Sequence, residues 1–124
     1  MIDMTQCLIV DSSPCERRKL EFLLSPYGFD LAAMTDMDDA LDYCRREAPD
    51  VVLLADRPGG PDAAGFIRRL RALLRGRQPI VLVCADEADA ENIGRAIWAG
   101  AADCLVRPFD ADVLDAKLRM SGLV

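Results

Sequence analysis

The sequence predicts an α/β fold: a doubly wound, five-stranded parallel sheet with helices on both faces. Five short apolar runs, four of them without polar alternation, read as strands covered on both sides. Segments of helical period separate them, so strand and helix alternate five times, which calls for right-handed crossovers. A length of 124 residues, with 52% hydrophobic and 29% charged side chains, suits one domain spanning 1–124 with a single buried core.

The first run is Cys7 to Val10. Ser13-Pro14-Cys15-Glu16 then forms a capping box with proline at the first helical position, opening a helix whose Leu20, Leu23 and Leu24 share a face. That helix stops near Ser25-Pro26, and Gly28 completes the turn into a second run, Asp30 to Ala33. Thr35 or Asp36 caps the next helix, where Met37, Ala40, Leu41 and Cys44 recur at helical spacing, with Pro49 beyond its end. Val51 to Leu54 is the third run, followed by a helix carrying Phe66, Ile67, Leu70 and Leu74. Ile80 to Cys84 is the fourth, with a helix on Ile93, Ala96 and Ile97 that ends at Gly100. Cys104 to Val106 is the last strand, and the final helix starts at Asp110 and carries Val113, Leu114 and Leu118.

Composition narrows the chemistry. A net charge of -6 opposes wholesale binding to a phosphate backbone, so no direct nucleic-acid contact is expected. No apolar stretch is long enough to span a bilayer, and Met1-Ile2-Asp3-Met4 lacks the basic region of a signal peptide, so a cytoplasmic location is expected. The five cysteines, Cys7, Cys15, Cys44, Cys84 and Cys104, form no C-x-x-C pair and read as reduced packing residues. Histidine is absent, which removes imidazole as base, nucleophile or metal ligand. In open parallel sheets ligands gather beyond the carboxyl ends of the strands, which here means Asp11-Ser12, Ala55-Asp56, Cys84-Ala85 and Arg107.

The order of elements and several strings resemble the receiver domain of response regulators, the CheY-like family. Leu8-Ile9-Val10-Asp11 resembles its first strand and acidic end, and Pro49-Asp50-Val51-Val52-Leu53-Leu54 the run into the phosphoacceptor. Ala99-Gly100-Ala101-Ala102-Asp103 and Arg107-Pro108-Phe109 resemble the end of its pattern, and together these strings cover nearly the whole chain. The resemblance implies strand order 2-1-3-4-5 and a role in two-component or phosphorelay signalling. It also implies a pocket in which two acids hold magnesium, a strand-end aspartate takes the phosphoryl group, a Ser or Thr and a Lys contact its oxygens, and an aromatic reports the state. Magnesium needs several hard oxygen ligands, and developing phosphoryl charge needs a cation and donors around it.

Set against that pattern, the chain keeps one acid as Asp11 and has Ser12 for the second. Counting from Pro49 places Ala55 at the acceptor position; the resemblance puts Cys84, at the expected distance after Pro79, at the hydroxyl, Arg107 at the lysine and Cys104 at the aromatic switch, so only Asp11 survives. The loop after Cys84 is one residue longer than usual. The expectation is a degenerate pocket with no catalytic residue, metal or cofactor. Asp11 is expected to pair with Arg107 across the old mouth, and Arg107-Pro108 to be a cis peptide.

Two alternatives stand beside this reading. In one, a bulge re-aims Asp56 as a working acceptor, with Asp11 and Asp62 helping to hold magnesium. In the other, Arg68, Arg69, Arg71, Arg75 and Arg77 bind a nucleotide or other phosphate-bearing ligand, against the plainer reading of a solvated helix face. Trp98 lies off the apolar stripe of its helix, and in the family the face of the last two helices and the strand between them, with Cys104, is the partner surface. A histidine kinase, an output domain or a second copy, as a homodimer through this face, is the expected partner.

Overall fold

The computed structural model describes residues 4–57, 59–86 and 89–124. Five strands, β1 (Gln6–Val10), β2 (Asp30–Met34), β3 (Val51–Ala55), β4 (Ile80–Asp86) and β5 (Asp103–Arg107), form one parallel sheet in the order β2-β1-β3-β4-β5. The connecting helices are α1 (Pro14–Leu24), α2 (Met37–Glu47), α3 (Ala63–Leu73), α4 (Ala90–Ala99) and α5 (Ala111–Met120). All five expected strands and helices are present, each strand one or more residues longer than its apolar run; β1, β4 and β5 run on into polar ends, β2 into Met34 and β3 into Ala55.

The strand period of two divides the core into two layers. Leu8, Val10, Val52, Leu54, Val83 and Ala85 point to the side of α2, α3 and α4. Cys7, Ile9, Leu53, Cys84 and Leu105 point to the other side, against Leu20 and Leu24 of α1 and Leu114 and Leu118 of α5. Two such layers explain why β1, β3 and β4 are almost continuously apolar.

Caps and turns follow local chemistry. Asp36, Asp62 and Asp110 each accept a backbone N–H at the start of α2, α3 and α5, which selects Asp36 over Thr35. Gly28 adopts φ 69° at the turn into β2, and Arg107-Pro108 is cis. The capping box of α1 is only half formed. Ser13 Oγ accepts the Glu16 N–H at 3.3 Å, but the Ser13 N–H donates to Asp11 Oδ1 at 2.9 Å instead of meeting Glu16. The carboxylate at the end of β1 outcompetes the helix's own glutamate.

Two further expectations are corrected. Ile97 and Val113, read as members of buried stripes, are 42% and 41% exposed, while Ala96, Leu114 and Leu118 carry the contacts of their helices. The reason lies at the sheet edge: β5 has no outer neighbour, so α4 and α5 cover it only in part. The extra length after Cys84 falls partly in β4, which runs on to Asp86, and partly in residues 87 and 88, outside the described residues.

Candidate functional site

The carboxyl ends of β1, β3, β4 and β5 bring Asp11, Ala55, Cys84 and Arg107 to the same end of the sheet, with Ala55 in register with Cys84. A small cavity there is lined by Asp11, Ser12, Ala55, Arg57 and Thr35 among others. Ala55 presents a methyl group to it and offers no nucleophile. Ser12 is exposed, and the buried Cys84 thiol is pushed up to about 12 by desolvation, so it stays a neutral, weak donor.

Asp11 is 3% exposed and is held in three ways. Its carboxylate accepts the Ser13 N–H, and its carbonyl accepts Arg17 Nη1 at 2.7 Å. The third partner is Arg57, whose Nη2 lies 2.8 Å from Oδ2 and 2.9 Å from Oδ1, with Nε 3.2 Å from Oδ1. The expected Asp11–Arg107 pair is therefore absent. β1 and β5 are three strand spacings apart, about 14 Å, which is beyond an arginine that must also stay folded over its own strand end. Arg107 instead reaches across β4: Nε bonds Asp86 Oδ1 at 3.1 Å, Nη1 the Cys84 carbonyl at 2.9 Å, and Nη2 the Asp56 carbonyl at 2.6 Å. Arg57 was missed in the sequence because the resemblance attached no role to that position; a charged residue two places after the acceptor position was the available signal.

Asp56 is buried, 4% exposed, and its N–H continues the ladder by donating to the Cys84 carbonyl at 2.8 Å. Alternation along the strand, with Leu54 on the α2, α3 and α4 side, puts the Asp56 side chain on the face opposite Ala55. Its charged neighbours are Asp89, Asp62 and Arg107. Burial, reinforced by the neighbouring carboxylate of Asp89, raises its carboxyl above the usual range.

A divalent ion takes several oxygen ligands. At the Asp11 end both carboxylate oxygens are already bound by a guanidinium, Ser12 is neutral and Ala55 has no donor, so these residues do not fit such an ion.

The arginines of α3 face separate partners. Arg68 lies 3.7 Å from Asp62, Arg69 bonds Asp38 at 3.0 Å, and Arg71 donates to the Gly100 carbonyl at 2.7 Å. Arg77 pairs with Asp50. Trp98 is 93% exposed on α4, beside the edge where Ile97, Val106 and Val113 also show apolar surface, and Cys104 is half-buried in β5.

Comparison with known proteins fits this architecture. The family model described as "Response regulator receiver domain" matches residues 7–119. The transcriptional regulatory protein CseB of Streptomyces coelicolor is 32% identical over 119 residues, which cover 96% of this chain and 50% of that protein. The DNA-binding response regulator MtrA of Mycolicibacterium smegmatis is 33% identical over 112 residues, 90% of this chain and 48% of that one. The chain thus spans about half the length of the curated relatives it matches. A response regulator receiver domain from Bermanella marisrubri superposes with a TM-score of 0.85 at 24% identity, covering 95% of this chain and 98% of that one. The receiver domain of a Pseudomonas aeruginosa sensor histidine kinase, solved with magnesium coordinated in its active site cleft, superposes at 0.82 with 23% identity, covering 95% and 97%. The two-layered parallel sheet, the strand-end pocket and these matches together make this chain a member of the response regulator receiver domain family.

Proposed function

We propose that this receiver domain signals without an aspartyl phosphate, by presenting a fixed surface around Trp98 to a protein partner. The observation that carries the reading is the methyl group of Ala55 at the strand end where the family places its acceptor. The Arg57 guanidinium supports it by holding the Asp11 carboxylate with an internal cation, and a thiol and an arginine replace the usual hydroxyl and lysine.

The surface is the exposed apolar edge made by Ile97 and Trp98 of α4, Val106 of β5 and Val113 of α5. Large aromatic side chains in such patches anchor interfaces. The partner is a histidine kinase, an output domain or a second copy of the chain; the domain is not itself an enzyme. Relatives that are transcriptional regulators extend well beyond the matched half, which favours an output domain or a dimer of such regulators as the occupant.

The test is incubation with magnesium and a small phosphodonor, read by intact mass. The wild-type chain is expected to gain no phosphoryl group. An adduct that disappears in Asp56→Asn overturns the reading and establishes the alternative acceptor.

A further inference from the structure

The end of β3 and the start of α4 bring together two carboxyl groups that the pocket around Asp11 does not use. Asp56 is 4% exposed, and its Oδ2 is fully buried without a hydrogen-bond partner among the described residues. Asp89 occupies the N-cap position of α4, where an aspartate ordinarily accepts a backbone N–H of the first turn. Asp36, Asp62 and Asp110 do this in their helices, but Asp89 does not. Its Oδ1 accepts Asn92 Nδ2 at 2.7 Å, and its Oδ2 is buried and without a partner among the described residues. A capping group has turned away from its helix toward another acid.

Two acceptor-only groups repel when both are ionised, whereas one proton makes one of them a donor to the other. The surroundings supply no better answer. Asp62, at the start of α3, adds negative charge. Arg107 of β5 is the nearby cation, yet its guanidinium goes to Asp86 and to the carbonyls of Cys84 and Asp56. Arg95, one turn into α4, is paired with Glu91. Desolvation of Asp56 acts in the same direction as its acidic neighbours, and only Arg107 opposes them.

We propose that Asp56 carries a proton that it donates to the Asp89 carboxylate, and that this proton fastens the first turn of α4 to the end of β3. When it leaves, two buried negative charges face each other, and the first turn of α4 separates from the sheet. Because α4 carries Trp98, the surface proposed above becomes sensitive to pH. The inference supplies a regulator for that surface, but its test reads a proton and a helix end and not a partner, so either proposal can fail alone.

The direction follows from linkage. A carboxyl raised in the folded state carries no penalty below its unfolded value, and it costs stability progressively as pH rises through the folded value. Carbon NMR of the aspartate carboxyls, followed from about pH 4 to about pH 8, is expected to show Asp56 titrating above the ordinary aspartate range. Amide exchange across Ala90 to Arg95, corrected for intrinsic rates, is expected to lose protection over the same interval. The loss is about tenfold for each unit by which Asp56 is raised. In Asp56→Asn, whose amide donates at every pH, and in Asp89→Asn, this loss disappears. Asp56 titrating at or below the ordinary range, or equal exchange profiles in wild type and both variants, overturns the proposal. The carboxyl titration needs no variant, so it decides even where a substitution fails to fold.

Discussion

Arg57 holds both carboxylate oxygens of Asp11 with one guanidinium, across the gap between the ends of β3 and β1. The carboxylate is 2% exposed and the arginine side chain 32%, so the pair straddles the boundary between core and solvent. A cation carried on the chain stands beside the acid at the end of β1.

That geometry makes Arg57 important to stability. Arg57→Met leaves a buried carboxylate without its counter-ion and is expected to cost about 2–4 kcal/mol in urea unfolding. Adding Asp11→Asn removes the stranded charge, so the double variant is expected to be more stable than Arg57→Met alone. Equal stabilities of the single and double variants would show that the pair is not coupled.

Gly100 ends α4 with φ 127°, and a Cβ there would collide with the Arg71 guanidinium, which donates to the Gly100 carbonyl. Gly100→Ala is expected to destabilise by about 1–3 kcal/mol, from backbone strain and from the displaced arginine. In an Arg71→Ala background the steric part vanishes and the strain remains. The cost of Gly100→Ala, measured by denaturant unfolding, is then expected to be smaller but not zero.

Trp98 contributes little to its own domain, being 93% exposed. Trp98→Ala is expected to change stability by less than about 0.5 kcal/mol. Partner capture or self-association, followed by sedimentation, is expected to weaken. A large loss of melting temperature with unchanged association would count against the proposed surface.

The thiols divide by burial. Cys7 and Cys84 are pushed up to about 12 and Cys44 to about 11 by desolvation, whereas Cys15 is exposed. Maleimide labelling of the native protein, timed by mass spectrometry, is expected to modify Cys15 first and half-buried Cys104 next, with the other three protected until unfolding. These thiols ionise near 9 when unfolded but resist ionisation when folded. Their stabilisation of the fold is complete below that value and is lost as pH rises through 9 toward about 12. Unfolding midpoints across that range check the sign.

The alternation of apolar runs and helical stripes placed the five strands and the five α-helices, because burial of two sheet faces leaves a periodic mark that needs no knowledge of partners. The strand-end cluster was legible for a related reason. Parallel strands deliver their carboxyl ends to one edge, so Asp11, Ala55, Cys84 and Arg107 lie along the same end of the sheet. Helix faces at the β5 edge were less so: Ile97 and Val113 keep the helical period but are only partly covered.

The choice of ion-pair partners was settled in three dimensions. Asp11 and Arg107 were the natural couple by residue type, yet strand order sets them three spacings apart, while Arg57 at the adjoining strand end is within reach. The same holds for Asp56, which strand parity turns away from Ala55 and toward Asp89. Periodicity is local and is therefore written along the chain, but a charge finds its partner by distance in space, which only the packed sheet and its covering helices define.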